Sequence, residues 1–110
     1  MKIWLDDVRD PKYFPWMAPM GDDWIWMKRV DDVITALKTG KVESIHLDHD
    51  LGVEDERTGY EVLAWLEEQI GTGQWPFSNI PEMYIHTDNP VGRERMKLAH
   101  IRIVELLDKE

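Results

Sequence analysis

The sequence predicts an α/β fold whose four short strands form a mostly parallel sheet in the order 2-1-3-4. Apolar segments typical of strands alternate along the chain with segments whose apolar residues recur at helical spacing. This alternation favours parallel strands joined by right-handed crossovers. The 110 residues fit one domain spanning 1–110, and 43% of them are hydrophobic, which is enough for a core. The flavodoxin-like order 2-1-3-4 is the simplest sheet for such a pattern.

The strands are predicted from short runs of apolar and aromatic residues. They cover residues 2–5, 24–27, 44–47 and 82–86. The stretch 8–23 has no helical stripe and contains four residues that disfavour regular structure, Pro11, Pro15, Pro19 and Gly21. We therefore expect a loop in place of a helix after the first strand, and no fifth strand is predicted.

Three helices are predicted from apolar stripes and from residues typical of helix ends. The first covers about 30–37, and Gly40 is its stop signal. The second opens with a capping box formed by Thr58 and Glu61, and the third follows Asn89 as N-cap with Pro90 in its first position. The stripes expected to face the sheet are Val30, Val33, Ile34 and Leu37, then Val62, Leu63, Leu66 and Ile70, then Met96, Ala99, Ile103 and Leu107.

The charge balance limits the classes of partner. Thirteen basic and 22 acidic residues give a net charge of −9, which opposes non-specific binding to nucleic acid or anionic membranes and argues against groove binding on DNA. A small phosphate group held by a few arginines and a divalent ion is compatible with this charge. The absence of cysteine excludes disulfides and thiolate catalysis. No stretch approaches the ~20 apolar residues of a membrane span and no signal peptide is visible, so we expect a cytoplasmic protein, with no prediction of its oligomeric state.

Acidic residues and histidines lie at the ends of three predicted strands. They are Asp6 and Asp7 at strand 1, Asp48, His49 and Asp50 at strand 3, and His86 and Thr87 at strand 4. These strands are neighbours in the predicted order, and ligands bind beyond the carboxyl ends of such strands. Four carboxylates, those of Asp6, Asp7, Asp48 and Asp50, would share one rim with two imidazoles, and such clusters suit Mg²⁺ or Mn²⁺. Each motif alone is also typical of a solvated turn or a hydrogen-bonded strand end.

The start of the last helix is a candidate phosphate site. Free backbone N–H groups and the positive end of the dipole favour anions at a helix N-terminus. Asn89 begins this helix, Gly92 permits close approach, and Arg93 or Arg95 can clamp an oxyanion. Arg9 has the same capacity behind the acidic pair. The alternatives are an ordinary capped helix and, for Arg9, a salt bridge to a neighbouring aspartate.

Four further residues have mainly structural interpretations. His46 lies inside strand 3 and His100 falls on the expected buried stripe of the last helix, so both are expected to be structural. Phe14 and Trp16 lie in the proline-containing loop, where they either cover the sheet in place of a helix or stack on a nucleobase. The covering role is favoured.

The strand-end motifs resemble those of a known family. An acidic pair after strand 1, an aspartate at strand 3 and a threonine at strand 4 resemble a response-regulator receiver domain, although its fifth strand and lysine have no counterpart here. A divergent branch, the cyclic-phosphate processing receiver-like domains, is more similar. Its pattern resembles LDDVR at 5–9 followed by Pro11, LDHDLG at 47–52, and HTDNPVG at 86–92 with Met96, which together cover nearly the whole chain.

The resemblance implies both a fold and an activity. The receiver match implies that Asp6 and Asp7 hold a metal ion, that Asp48 accepts a phosphoryl group and that Thr87 contacts it. The closer match implies processing of a cyclic phosphate in a receiver-like fold. The substrate would be a 2′,3′-cyclic phosphate at an RNA end or a cyclic nucleotide.

Two functions of different classes follow. In the first, Asp6, Asp7 and Asp48 hold Mg²⁺ or Mn²⁺ in a phosphoesterase, and His49 and His86 share the acid–base work. His86 is favoured as the acid because a strand end fixes it. The alternative is a non-enzymatic receiver-like module that binds a phosphate-bearing ligand or a partner protein. The histidines favour the enzyme, since a phosphoacceptor site does not need them.

Overall fold

The computed structural model describes residues 1–11 and 23–108, and it contains the predicted sheet. The strands are β1 (Lys2–Leu5), β2 (Trp24–Met27), β3 (Ser44–Leu47) and β4 (Glu82–Ile85). All neighbouring strands are parallel and their order is β2-β1-β3-β4, which confirms the prediction. β4 ends one residue earlier than predicted. The predicted covering role of Phe14 and Trp16 falls outside the described residues.

Three α-helices and one 3-10 turn complete the described elements. They are α1 (Val30–Leu37), the turn Gly52–Glu54, α2 (Tyr60–Gly71) and α3 (Pro90–Asp108). The start of α3 is capped as predicted, because the side-chain oxygen of Asn89 accepts the backbone N–H of Gly92 at 3.0 Å. No helix within 1–11 and 23–108 is long and apolar enough to cross a membrane.

The predicted capping box of α2 is wrong. The residue before the helix is Gly59, no side chain caps the helix start, and Thr58 accepts the backbone N–H of Glu61 through its carbonyl oxygen. The physical reason is the close approach of this turn to the end of β3. The Gly59 N–H donates to the His49 carbonyl at 2.9 Å, and a Cβ on Gly59 would overlap the carbonyl oxygen of Asp48. Contact with the strand end therefore sets the helix start.

The helices pack against one face of the sheet, and the main core lies between that face and the helices. Because successive side chains of a strand point to opposite faces, Ile3 and Leu5 face the helices while Trp4 faces the other way, where it packs with Trp24. Most of the predicted stripes are buried in this core: Val30, Val33, Leu37, Val62, Leu63, Leu66, Ile70, Met96, Ala99 and Ile103. His100 was expected on the buried stripe of α3, but it is only half-buried beside it.

The register of the sheet places three polar residues at one level. Leu5 pairs with Leu47, and Leu47 pairs with Ile85, so these three strands end together. The backbone ladder continues for one more bond, because the N–H of Asp48 donates to Leu5 and that of His86 donates to Leu47, each at 2.9 Å. This register therefore brings together the three polar residues that follow the strand ends, Asp6, Asp48 and His86.

Candidate active site

Asp6, Asp48 and His86 form the centre of the site. Each can offer one oxygen or nitrogen atom such that all three atoms lie within 4.8 Å of one another, and all three residues are buried. Two buried acidic groups at this distance are unusual, since ionised carboxylates leave water at a large cost unless they are paired. The surroundings of each carboxylate therefore decide what the site can do.

Asp6 is held as an ionised carboxylate by several donors. One of its oxygens accepts the backbone N–H groups of Val8 at 2.9 Å and Arg9 at 3.0 Å, and the other accepts His86 Nε2–H at 2.8 Å. Burial alone would raise the pKa of Asp6. The hydrogen bonds from His86 and from the backbone outweigh burial, so its pKa lies below the ordinary value.

Asp48 carries the opposite electrostatic character. Burial, with the negative charge of Asp6 as the second cause, raises the pKa of Asp48 to about 6, although His86 and Arg9 oppose the shift. An ionised Asp48 is thus held at a cost to the folded protein. A cation beside it would remove that cost.

Arg9 supplies positive charge at the edge of the two carboxylates. Its Nη1 lies 3.4 Å from one oxygen of Asp6 and 4.0 Å from one oxygen of Asp48, and its Nη2 donates to the exposed Asp88 at 2.9 Å. Arg9 therefore links the β1 end to the turn after β4.

Two tryptophans hold the backbone of this first loop. Trp4 donates its indole N–H to the carbonyl of Arg9 at 2.7 Å, and Trp26 donates to the carbonyl of Asp6 at 2.8 Å. Both indoles come from neighbouring strands on the sheet face opposite the main core. The path of residues 6–9, and with it the direction of the Asp6 carboxylate, is fixed from two sides.

His49 has one ring nitrogen oriented and the other unpartnered. Its Nδ1 lies 3.0 Å from a carboxylate oxygen of the exposed Asp50, which can only accept, so the proton belongs to Nδ1. Its Nε2 is buried and has no hydrogen-bond partner among the described residues. The ring also lies directly against Gly92, where a Cβ would come within 2.5 Å of it. The start of α3 thus keeps the Nε2 lone pair in place.

His86 differs from His49, because both of its ring nitrogens have protein partners. Nε2 faces Asp6 at 2.8 Å, and Nδ1 lies 2.6 Å from Nδ1 of His46. The sequence favours His86 as a general acid, yet in the structure this ring has no nitrogen left for a substrate unless one of those bonds opens. The His86 ring is held in place at the strand end, but both of its nitrogens face protein groups and neither faces the substrate side.

The other predicted metal ligands lie at the edge of the central group. Asp7 points toward the 3-10 turn, where one of its oxygens would lie 2.6 Å from a Cβ on Gly52. Asp50 is exposed and hydrogen-bonded to His49. Neither is part of the converging group of three, so the structure brings together two of the four predicted carboxylates.

The predicted phosphate-binding residues lie around the start of α3. Thr87 is buried, and its hydroxyl oxygen accepts the backbone N–H of Asn89 at 3.2 Å. Asn89 and Gly92 form the helix cap described above. Arg93 donates to the carbonyl of Thr87 at 2.5 Å, so its guanidinium holds this turn together. Among the described arginines of this region, Arg9 is the one beside the carboxylates.

Sequence reasoning did not assign site roles to three residues that support the centre. His46 was interpreted as structural, and Trp4 and Trp26 were seen only as parts of strands. The signal in the sequence is positional: in register, Trp4 pairs with both His46 and Trp26. Three large polar-tipped rings at paired positions of neighbouring strands would have predicted a layer beneath the strand ends.

The central group fits a divalent metal ion by the chemistry of its donors. The two carboxylate oxygens suit Mg²⁺ or Mn²⁺, with the rest of the shell supplied by water or phosphate, whereas both ring nitrogens of His86 already have protein partners. The raised pKa of Asp48 is consistent with this fit, because burial and the neighbouring charge of Asp6 both disfavour its ionised form and a bound cation would favour it. Asp6 and Asp48 are the residues that would hold the ion, and His86 orients the Asp6 carboxylate through its Nε2–H.

Comparisons with known proteins give one match, which is to a family model. A scan against family models matches residues 1–101 to the cyclic-phosphate processing receiver domain. Searches of curated proteins and of solved structures gave no significant match. The family match spans all four strands, the strand-end site and most of α3.

Proposed function

The chain belongs to the family of cyclic-phosphate processing receiver domains, and on this premise we propose that it hydrolyses a cyclic phosphate with the help of Mg²⁺ or Mn²⁺. The observation that carries the proposal is the buried Nε2 of His49, which has no hydrogen-bond partner among the described residues and belongs to the residue that follows Asp48 at the end of β3. A phosphate-binding module needs no such base. An enzyme that moves a proton does.

Asp6 and Asp48 would hold the metal ion, and His86 would orient Asp6 through its Nε2–H. When bound, such an ion supplies positive charge that stabilises the phosphoryl oxygens as negative charge develops on them. Asp6 is oriented for this by its backbone donors and by the tryptophans beneath them. Asp48 contributes a carboxylate whose charge is otherwise unfavourable in the folded protein.

His49 would perform the proton transfers. Because Nδ1–H is donated to Asp50, the lone pair of Nε2 is available as a base. A proton passes from water to Nε2 as the water oxygen bonds to phosphorus. Nε2 then gives this proton to the sugar oxygen as the bond between the sugar oxygen and phosphorus breaks. One water is consumed, and the product is a phosphate monoester with a free hydroxyl group.

Arg9 is the residue we assign to binding of the phosphate. Its guanidinium pairs with Asp6 and with the exposed Asp88 and lies beside both buried carboxylates, whereas that of Arg93 donates to the Thr87 carbonyl away from them. Arg93, Asn89 and Gly92 then maintain the turn that faces the substrate. Thr87 accepts one hydrogen bond through its hydroxyl oxygen and retains its own O–H to donate.

The alternative function is a non-enzymatic module that accepts or binds a phosphoryl group. It is favoured by one observation, the burial of Asp48 and Thr87 at the ends of adjacent strands, where a receiver domain would use them. In that case a small phosphoryl donor would label Asp48, and no cyclic phosphate would be opened.

The experiment is incubation with a panel of cyclic phosphates followed by phosphorus NMR. The panel contains 2′,3′-cyclic nucleotides, a short RNA that ends in a 2′,3′-cyclic phosphate, and 3′,5′-cyclic nucleotides, each with Mg²⁺, with Mn²⁺ and with EDTA. We expect conversion of at least one class to a monoester, dependent on metal and lost in Asp48→Asn. An acyl phosphate on Asp48 in a protein inert toward the whole panel would establish the alternative.

A further inference from the structure

The inner side of the site contains a pair of buried histidines. His46 of β3 and His86 at the end of β4 face each other with their Nδ1 atoms 2.6 Å apart, and His86 continues to Asp6. Three ionisable groups thus form one line of hydrogen bonds, Asp6 to His86 to His46. Asp6 and His86 also belong to the converging group at the strand ends, and His46 lies outside that group.

The direction of these bonds follows from their ends. The Asp6 carboxylate can only accept, so the proton of the first bond belongs to Nε2 of His86. A neutral His86 then has a bare Nδ1, which must accept. The proton between the two rings therefore belongs to Nδ1 of His46.

His46 is itself held in place by aromatic rings. It stacks on Trp4 at 4.4 Å and on Tyr84 at 5.2 Å between ring centroids, and Trp24 meets it edge-on at 5.6 Å. Trp4 also stacks on His86 at 4.6 Å. The orientation of the His46 ring is therefore set by packing, and its N–H points in a fixed direction.

We propose that His46 is a positioning residue for the active site, which fixes His86 as the Nε2–H tautomer and thereby orients the Asp6 carboxylate. This inference rests on the proposed function only for its catalytic consequence. The hydrogen-bond arrangement itself is independent of substrate and metal. The metal ligand in this arrangement is Asp6, and hydrogen-bond partners behind a ligand typically change metal affinity or activity by about 10–100-fold when removed.

The first test is the tautomeric state of the metal-free wild-type protein, read from the ring ¹⁵N shifts of selectively labelled histidines at neutral pH. We expect a protonated Nε2 and a bare Nδ1 for His86, and a protonated Nδ1 for His46. A protonated Nδ1 on His86, whether in the other tautomer or in a doubly protonated ring, would overturn the inference, because His46 would then accept.

Two variants separate the hydrogen bond from packing. His46→Asn retains an N–H donor near the position of Nδ1, and His46→Phe retains a flat ring between Trp4 and Tyr84 without a donor. We expect the Nε2–H tautomer of His86 to persist in the Asn variant and to be mixed with the Nδ1–H tautomer in the Phe variant. Tyr84→Phe is the control for the stacked layer and should leave the tautomer unchanged.

Titration with Mn²⁺ alone gives the functional readout. If wild type binds Mn²⁺, His46→Phe should weaken the binding about 10–100-fold and His46→Asn should restore most of it. Equal affinity of wild type and the Phe variant would overturn the positioning role. If wild type binds no Mn²⁺, the metal part of the proposed function fails, and the tautomer measurement alone decides on His46.

Discussion

At the scale of single residues, Asp48 shows that the site is built at a cost to stability. Its carboxyl is buried beside Asp6, and these two causes, burial first, raise the pKa of Asp48 to about 6. Above that pH the folded protein holds a charge that the unfolded chain carries more easily. A difference of this size corresponds to about 3 kcal/mol of unfolding free energy.

Asp48→Asn should therefore stabilise the metal-free protein at neutral pH. The folded wild type takes up the Asp48 proton below about pH 6, whereas the unfolded chain does so only near its ordinary pKa, about 4. The unfolding free energy of the wild type therefore rises relative to that of the variant as pH falls through this window. The two values should be nearly equal near pH 4. Urea unfolding in EDTA across this range measures the difference. A variant less stable than wild type at neutral pH would contradict the assignment.

Gly92 is a second residue at which a small change should have a specific effect. A Cβ there would overlap the ring of His49, so Gly92→Ala should displace that ring at a cost of about 1–3 kcal/mol and lower turnover. Gly71, at the end of α2, is the matched control, because its Cβ position has only ordinary contacts. Melting temperature and turnover of both variants are the measurements. Equal behaviour of the two would show that His49 is not confined by Gly92.

At the scale of elements, α1 is capped by a residue far along the chain. The side chain of Arg29, which precedes the helix, does not cap it. Instead the buried carboxylate of Asp55 accepts the backbone N–H of Val30 at 2.7 Å. Asp55 also binds the backbone and guanidinium of Arg57, which reaches on to Asp31 at 2.7 Å. The loop after β3 is thereby tied to the start of α1.

Asp55→Ala should destabilise the protein by about 2–3 kcal/mol, because a cap is lost and a buried N–H is left without a partner. Asp31→Ala removes an exposed partner of the same arginine and should cost less than about 1 kcal/mol. Chemical denaturation of both variants tests this. A loss in Asp31→Ala as large as that in Asp55→Ala would place the stabilisation in the Arg57 ion pair.

The same element scale shows what the sequence can and cannot predict. Strand order and the start of α3 were predictable, because they follow from alternation along the chain and from local residues such as Asn89. The Asp55 cap and the Gly59 contact were not, since each depends on a backbone that arrives from 10 or more residues away. Side-chain direction was the other gap: the sequence placed His49 and His86 at one rim but could not show which ring nitrogen is already bound.

At the scale of the whole molecule, metal binding should restore the unfolding free energy that is lost by burying the ionised Asp48. A ligand that binds only the folded state stabilises that state as the logarithm of the ratio of ligand concentration to Kd. The gain is about 2.7 kcal/mol when the free ligand concentration is 100 times Kd. For a domain of this size each kcal/mol corresponds to about 4–8 °C in melting temperature. Saturating Mn²⁺ should thus raise the Tm of wild type clearly and that of Asp48→Asn little. Equal responses in the two proteins would place the bound ion elsewhere.

The most direct test of the account is the rate of cyclic-phosphate opening in His49→Ala, followed by phosphorus NMR with the best substrate and metal from the panel. A positioned acid–base group contributes about 10²–10⁴-fold, so the account predicts a loss of that size with Mn²⁺ affinity largely retained. His100→Ala, a half-buried histidine of α3 two turns beyond Gly92, should keep the wild-type rate. Wild-type turnover in His49→Ala would contradict the central claim, because Nε2 of His49 would then have no part in the reaction.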